Sequence, residues 1–299
     1  MSLGWDDGQF ATLACLLEAT AEKPGNVHPG AHFRDMNYTD MVMSAIAIGP
    51  IFRQATVLGV GPTVMAAVQA THNAVGKNTN LGTIMLLAVI AGTDPAVPLD
   101  PQHVLKGLTE LDARLVYAAV RLAQPGGLGV VDQYDVRDEP PVCLLRAMRV
   151  AAARDSIARQ YATDFQDVRD RILPRLCEGH GYGWSLSQTI VHVHVLLMSE
   201  SADSLIARKC GTAIAAESQR RAGQVLAAGN PGEPAYQQIL HDFDRWLRAD
   251  GHTRNPGTTA DLIAAGLFAG LRSGQLSEYS ELSFVRLKEP HARPQAAGL

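Results

Sequence analysis

Apolar residues recur every three or four positions along most of the chain, the period of an α-helix with one buried face. The clearest run begins at Asp100-Pro101, a capping residue followed by proline at the first helical position. Its apolar positions are Val104, Leu108, Leu111, Leu115, Ala118 and Leu122, and Pro125-Gly126-Gly127 ends it. A similar stripe behind Thr39 consists of Met41, Ala45, Ile48 and Phe52. Further helices are predicted over residues 8–22, 63–75, 82–92, 140–162, 185–199, 204–228, 234–249 and 259–273.

Residues 190–195 depart from this pattern, because alternation of β-branched and polar residues is typical of a strand. The helical neighbours of the segment favour a buried helix instead. His192 and His194 lie two apart and point in different directions on a helix, so they are interpreted as core histidines or as supports of a site. The chain is therefore predicted to be all-α, a single large multi-helix domain over residues 1–299. Its core spans about 8–275, and the tail after residue 289 is expected to be frayed.

Composition narrows the class of protein. Hydrophobic residues make up 46% of the 299 residues and charged residues 19%, as in globular domains. The formal net charge of −4 gives no general attraction for nucleic acid or an anionic membrane, so neither is expected as a partner. The four cysteines form no CxxC pair, the first ten residues do not resemble a signal peptide, and the longest apolar stretch is too short to cross a bilayer. We expect a cytoplasmic protein, and a homodimer is left open.

Glycine, proline and polar residues concentrate in the segments that join the predicted helices: 23–37, 76–82, 125–139, 200–211 and 252–261. In an all-helical protein, a site for a polar ligand is usually built from such loops and from helix N-termini. Four of these segments, namely 23–37, 76–82, 203–211 and 255–261, are therefore predicted to converge on one polar cleft. For each of them, a solvated loop or a simple helix cap is the alternative.

The first segment is preceded by Glu18 and carries Lys, two His, Arg and Asp on an irregular path set by two prolines and two glycines. His32 and Asp35 are candidates for proton transfer or metal binding. The second segment presents Asn78, Thr79 and Asn80 before an apolar helix, where amides and a hydroxyl can bind phosphate or sugar. Capping alone does not need all three residues, which favours a functional interpretation.

The third segment places Asp203 at a helix start, with Arg208 and Lys209 where they could contact polyphosphate. The fourth, residues 255–261, has the composition of an exposed helix entrance. Asp261 either complements the helix dipole or faces Mg²⁺, which prefers one or two carboxylates plus ligand phosphates. The sequence contains no GxxxxGK[ST], GxGxxG, HExxH or GxSxG element. Ordinary phosphoryl transfer on a nucleotide-binding fold is therefore not expected.

At these segments the sequence resembles the triphosphoribosyl-dephospho-CoA synthase family. These all-helical proteins make the precursor of the prosthetic group of citrate and malonate lyases or decarboxylases. The family elements PKPGLVD, GAHxDM, GVNTHKG, GDTNxxxRGG and PGGSADLL are similar to residues 23–28, 30–36, 76–82, 202–211 and 256–262. Their order and spacing agree over roughly residues 10–275.

The chain departs from the family pattern at several positions. Asn80 and Leu81 replace a His and a Lys, Leu205 replaces an Asn, Lys209 replaces an Arg, and one extra residue separates His32 from Asp35. The chain is similar to a divergent branch found in archaea and in bacteria with methanopterin-type cofactors. That branch carries the elements NTNLG, PGGLG, DVRDEP, DSLIARK and NPGTTADL, all of which are present here.

The resemblance implies a reaction and a set of site residues. In the family, ATP is a substrate that is split at its N-glycosidic bond, adenine leaves, and the triphosphoribosyl group passes to an acceptor hydroxyl. The implied catalytic residues are His32 for the proton, and Asp35, Asp203 and Asp261 as partners of Mg²⁺ or of the oxocarbenium charge. The implied substrate-binding residues are Lys23, Gly25, Asn26, His28, Asn78, Thr79, Asn80, Arg208, Lys209, Asn255, Gly257 and Thr258.

Three functions remain open from the sequence. The first is ribosyl transfer from ATP to dephospho-CoA or another nucleotide-like acceptor. The second is phosphoribosyl transfer in the synthesis of a tetrahydromethanopterin-type cofactor, with phosphoribosyl pyrophosphate as donor. The third is a non-catalytic nucleotide-binding protein. All three have nucleotides or sugar phosphates as ligands.

Overall fold

A computed structural model describes residues 4–285, which form helices joined by turns and loops, without a β-strand in that range. The α-helices are α1 (Asp7–Thr20), α2 (Tyr38–Phe52), α3 (Ala55–Leu58), α4 (Val60–Val75), α5 (Leu81–Ala91), α6 (Gln102–Lys106), α7 (Glu110–Ala123), α8 (Leu144–Ala151), α9 (Ser156–Ala162), α10 (Leu173–Gly181), α11 (Leu186–Glu200), α12 (Ser204–Cys210), α13 (Thr212–Ala227), α14 (Pro234–Arg248) and α15 (Gly257–Arg272). A π-helical turn spans Val168–Ile172, and a 3₁₀-helix spans Ser280–Val285. The all-α prediction is confirmed, and the predicted tail after residue 289 lies outside the described residues.

Side chains that precede the first turn fix the start of several helices. The side chains of Asp6, Asn37, Thr109 and Ser185 each accept a hydrogen bond from the third helical N–H, and their own backbone N–H donates to the side chain of that third residue. These reciprocal capping boxes satisfy backbone donors that the helix itself leaves unpaired. The stripe expected behind Thr39 therefore begins earlier, at the cap Asn37.

Three of the long predicted helices are each divided in two. The run from residue 100 breaks after α6, and α7 starts again at its own cap, Thr109. The run over 140–162 breaks before Asp155, which caps α9. The run over 204–228 breaks at Gly211, whose φ of +86° ends α12. In each case the apolar period continues across the break, so periodicity alone does not reveal the change of direction.

The sequence analysis missed the π-helical turn and α10. Three arginines and an aspartate dilute the apolar pattern there, although Val168, Ile172 and Leu176 are fully buried. The helix assignment for residues 190–195 is correct, since they lie within α11. His194 is fully buried, and His192 Nδ1 lies 3.2 Å from the Tyr236 hydroxyl, which agrees with the interpretation of both as core histidines.

The core is centred on α5 and α15. Helix α5 is apolar on all sides and buried along most of its length, as expected for a helix enclosed by others. It packs against α4, α9 and α15, and α15 also packs against α1, α10 and α11. A second, smaller apolar cluster joins α11, α12, α13 and α14. The N-terminal ends of α5, α12 and α15 are thereby brought to one region of the surface.

Within residues 4–285, no single helix is long and apolar enough to cross a membrane. The bent pair of α11 and α12 meets that test only when its two helices are taken together. The four cysteines are free thiols, as the scattered spacing predicts.

Candidate functional site

A cavity of about 990 Å³ opens where the polar segments meet. Its wall includes the start of α5, the start of α15, one face of α12 and the connection between α7 and α8. Asp35 and Asp261 both line it, as the prediction of a single cleft requires. The predicted site residues on its wall are Asn26, Asp35, Asn78, Thr79, Asn80, Arg208, Lys209, Asn255, Gly257, Thr258 and Asp261.

Asp261 lies in the first turns of α15 and faces the start of α5. Its Oδ1 accepts hydrogen bonds from the Thr83 backbone N–H at 2.9 Å and from the Thr83 hydroxyl at 2.6 Å. Its Oδ2 has no hydrogen bond to another described residue. Burial, opposed by the Thr83 hydrogen bonds and reinforced by nearby Glu18 and Asp203, raises the pKa of this carboxyl to about 7. Asp261 is thus suited to exchanging a proton near neutral pH.

Gly82 allows this close approach of α15 to α5. A Cβ atom at position 82 would stand 2.2 Å from Asp261 Oδ2. Glycine at this place in the NTNLG element is therefore required by the position of the carboxylate.

Lys23, expected to contact phosphate, has a fully buried side chain that does not line the cavity. Its ammonium lies 2.8 Å from Glu18 Oε1 and also donates to the Glu18 carbonyl and, at 3.4 Å, to the Ala21 carbonyl. These contacts fix the turn that follows α1. Glu18, by contrast, lies on the cavity wall.

Asp203 does not line the cavity, which corrects its expected catalytic and metal-binding role. Its Oδ1 accepts from the backbone N–H groups of Leu205 and Ile206, at 2.8 and 3.1 Å. Its Oδ2 accepts from the Thr259 N–H and hydroxyl, at 2.8 and 2.7 Å. The carboxylate therefore caps α12 and joins it to the start of α15, with both oxygens already bound.

Lys209 and Arg208 differ in what they offer a ligand. Arg208 is bound to Asp155 at 2.9 Å and to the Arg154 carbonyl at 3.2 Å, so it joins α12 to α9. The Lys209 ammonium makes no hydrogen bond or ion pair with another described residue, and burial lowers its pKa more than nearby acidic groups raise it. A cation held in the cavity wall without a partner is suited to binding an anion.

Two asparagine side chains of the polar segments line the cavity, one with an unpaired oxygen and one with a hydrogen-bonded oxygen. Asn26 is buried, and its Oδ1 has no hydrogen-bond partner among the described residues. An unpaired buried amide oxygen is costly, so this atom favours a hydrogen-bond donor. Asn78 Oδ1, however, accepts from the Leu81 N–H at 3.1 Å, and the Thr79 hydroxyl donates to Ser44 Oγ at 2.6 Å. The capping alternative is therefore correct for the Asn78 oxygen, while its amide nitrogen remains for a ligand.

Besides Lys23, three expected residues of the first segment lie outside the cavity. His32 is exposed to solvent, so the structure does not place it where it could carry the proton. His28 Nδ1 accepts from the Gly30 N–H at 3.2 Å, and the Gly25 N–H donates to Asp244 on α14 at 2.7 Å. Gly25 and His28 thus shape the loop. Asp35 remains on the wall, with its Oδ1 3.4 Å from His252 Nδ1.

The expected cluster of metal-binding carboxylates is not formed by the protein. Among residues 4–285, no group of three or more His, Cys, Asp or Glu side chains is placed to hold a metal ion. The Asp203 carboxylate already accepts four hydrogen bonds. Asp35 lies in the loop before α2 and Asp261 in α15, so the two carboxylates are on different walls of the cavity.

Several cavity residues carry no predicted role. Glu18 near the end of α1 and Arg154 before α9 are two of them.

Helices α7 and α8 and the connection between them contribute an apolar wall. The Tyr117 hydroxyl donates to the Tyr134 carbonyl at 3.0 Å and holds the connection against α7. Apolar residues of this wall are Val116, Val120, Ala123, Leu128, Val131, Ala147, Met148 and Ala151.

Residues 5–279 match the family described as ATP:dephospho-CoA triphosphoribosyl transferase (CitG). A relative from Vibrio cholerae serotype O1, named as a probable 2-(5''-triphosphoribosyl)-3'-dephosphocoenzyme-A synthase, is 29% identical over 86% of this chain and 85% of its own. A relative of the same name from Malonomonas rubra is 26% identical over 91% and 89%. A solved structure from Archaeoglobus fulgidus, assigned to the same synthase, has a TM-score of 0.60 and 23% identity, and covers 77% of this chain and 97% of its own. The chain therefore belongs to the ATP:dephospho-CoA triphosphoribosyl transferase family, a family of transferase enzymes.

Proposed function

We propose that this protein transfers the triphosphoribosyl group of ATP to a hydroxyl of dephospho-CoA and releases adenine. The observation that carries the proposal is the composition of one cavity. It joins an unpaired cation, Lys209, with two carboxylates, Asp261 and Glu18, in a volume of about 990 Å³. That volume is at the upper end for small-molecule sites and suits two substrates bound together.

The polar part of the cavity is the proposed donor site. Lys209 meets the triphosphate, since a half-buried ammonium with no carboxylate partner among the described residues gains most from a phosphate. The unpaired Asn26 oxygen and the free Asn78 amide bind the polar edges of the nucleotide. Asn80, Asn255, Gly257 and Thr258 complete this wall.

Asp261 is the proposed acid for the leaving adenine, in place of His32. With a pKa of about 7 it is protonated in a substantial fraction of molecules near neutral pH, and its Oδ2 faces no competing donor. A general acid is most effective when its pKa lies near the working pH.

Mg²⁺ is proposed to enter with the triphosphate, because this ion is commonly held by one or two carboxylates together with substrate phosphates. Asp35 fits that requirement: it lines the cavity, is largely exposed, and has one oxygen without a hydrogen bond. The ion would neutralise phosphate charge beside Lys209.

The apolar wall between α7 and α8 is the proposed acceptor site, since dephospho-CoA has an adenine ring and a long, weakly polar arm. Phosphoribosyl transfer to a different acceptor would use the same donor wall. The two are separated by incubating the protein with ATP or phosphoribosyl pyrophosphate and candidate acceptors, followed by mass spectrometry. A triphosphoribosyl adduct of dephospho-CoA supports the proposal, and a phosphoribosyl adduct of a pterin-type acceptor contradicts it.

A further inference from the structure

Glu18 and Lys23 form a buried ion pair that is open on one side. The Lys23 side chain is 0% exposed, and its ammonium is occupied by Glu18 Oε1 and two backbone carbonyls. The Glu18 side chain is 9% exposed and lines the cavity, and its Oε2 makes no hydrogen bond with another described residue. An ion pair that only stabilised the fold would not require one of its side chains, here Glu18, to line a cavity.

The surroundings of Glu18 are acidic. Asp261 lines the same cavity and is close enough for the Glu18 charge to raise its pKa. Like charges brought together in a poorly solvated site are destabilising, so such an arrangement is typical of functional sites. Lys209 approaches from another wall, where its side chain packs on Gly126 and Gly127. The carboxylates would repel phosphates, whereas they suit a part of the substrate that becomes positively charged.

We infer that Glu18 is a catalytic residue whose carboxylate faces the ribose of the donor, and that Lys23 is the positioning residue that holds this carboxylate in place. The inference rests on the proposed function. In the reaction, the bond between C1 of the ribose and adenine breaks, and its electron pair leaves with adenine. A bond forms between C1 and the acceptor oxygen, and the proton lost by that hydroxyl balances the proton gained by adenine. The Glu18 carboxylate takes no part in this proton balance and stabilises the positive charge that develops at C1.

This division of roles explains why a lysine of the KPG element is buried. An ammonium in contact with the triphosphate would have to be accessible, whereas Lys23 is enclosed. Its partner acts in the cavity, and removing the partner of a buried charge leaves that charge uncompensated.

The test compares Glu18→Gln with Glu22→Gln, a matched change at an exposed glutamate one turn further along the chain and outside the cavity. Glutamine still accepts a hydrogen bond from Lys23 but leaves its buried charge without a counter-ion, so circular dichroism first establishes that the variant is folded. For Glu18→Gln, kcat for adenine release falls on the order of 100-fold or more, as when one electrostatic partner of a transition state is lost. The calorimetric Kd for ATP stays within about threefold, because the charge develops only after binding. Glu22→Gln retains the wild-type kcat.

Two further variants exclude a purely structural effect. Glu18→Ala is expected to regain part of its rate with added formate, which supplies a carboxylate in the vacated space. The double variant Glu18→Gln, Lys23→Met carries no unpaired buried charge and is expected to be as slow as Glu18→Gln alone.

A wild-type kcat in Glu18→Gln or in the double variant, or an equal loss of rate in Glu22→Gln, overturns the assignment while the proposed function stands. Absence of rescue by formate in a folded Glu18→Ala also counts against it. A wild-type protein that releases no adenine in the presence of any tested acceptor overturns the proposed function, and the inference with it.

Discussion

At the scale of single residues, Asp261 shows how its surroundings set the chemistry of a carboxyl. In the folded protein its pKa is about 7, raised from an ordinary value of 3.8 mainly by burial. At a pH between these two pKa values, the Asp261 carboxyl keeps its proton in the folded protein and has lost it in the unfolded chain. The contribution of Asp261 to stability is therefore present at low pH and is lost as pH rises toward and through 7.

The replacement Asp261→Asn removes this titration and keeps an oxygen for Thr83. We predict that the variant unfolds a few degrees above the wild type at pH 8, and that the difference shrinks toward zero at pH 4. Thermal unfolding followed by circular dichroism across this range measures it. Asp132→Asn, at an exposed loop position, is the control and shows a pH-independent difference. A variant less stable than the wild type at pH 8 would contradict the account of burial.

Lys209 provides a second prediction at this scale. Lys209→Met keeps most of the apolar stem and removes the charge, so ATP affinity falls about tenfold or more because a charge-assisted contact is lost. Isothermal titration calorimetry measures the change. Lys106→Met removes the same charge from an exposed position on α6 and leaves the affinity unchanged. Equal affinities for the two variants would place the phosphates elsewhere.

Residue type alone did not determine which polar side chains face the cavity. Asp261 and Lys209 were correctly expected on its wall, whereas Lys23, His32 and Asp203 are not there. A lysine next to Pro-Gly looks accessible in sequence, but only packing shows that its ammonium is enclosed by the turn after α1. A carboxylate just before a helix can cap that helix or face a ligand. For Asp203 the capping role is evident only in the structure, where its second oxygen is bound by Thr259 of α15.

At the scale of elements, the start of α5 leaves room for the Asp261 side chain of α15 only because residue 82 is glycine. We predict that Gly82→Ala displaces Asp261 and lowers kcat at least tenfold, because the added Cβ would lie 2.2 Å from Oδ2. Gly223→Ala, in the interior of α13 with no atom within 4 Å of the new Cβ, is the control. It is expected to leave kcat unchanged and to raise stability slightly, as alanine favours a helix. Unchanged activity in Gly82→Ala would mean that the position of Asp261 is not critical.

The junction of α12 and α15 depends on Asp203. Removing its carboxylate in Asp203→Ala leaves four donors without their partner, so we expect a loss of about 3 kcal/mol in the free energy of unfolding. Asp6→Ala removes a partly exposed cap from α1 and is expected to cost about 1 kcal/mol. Urea titration of both variants measures the difference. Equal losses would show that Asp203 acts only as a cap for α12 and does not join the two helices.

The existence of most helices was predictable from the apolar period, while their ends were not. Gly211 and Asp155 each interrupt a run whose apolar spacing continues beyond them. A glycine or an aspartate inside such a run is compatible with one long helix, so tertiary packing determines that the chain turns there. For α10, charged residues on the exposed face interrupt the apolar period, so the buried face was not recognised from the sequence.

At the scale of the whole molecule, the all-α class and the convergence of the polar segments on one cavity followed from the sequence. The apolar wall between α7 and α8 did not, because the loop that joins these helices is held by contacts of side chains with backbone carbonyls, such as that of Tyr117 with the Tyr134 carbonyl. Those contacts leave no pattern in the sequence. The pairing of a cationic wall with an acidic one likewise depends on packing of distant helices.

The central claim is that the glycosidic bond of ATP is cleaved and its phosphates are left intact. The direct measurement is chromatography of the nucleotide products from wild-type protein incubated with ATP, Mg²⁺ and dephospho-CoA. We predict free adenine in an amount equal to the dephospho-CoA consumed, with the triphosphate recovered on the acceptor and little adenine when the acceptor is omitted. ADP or AMP as the main product would contradict the account.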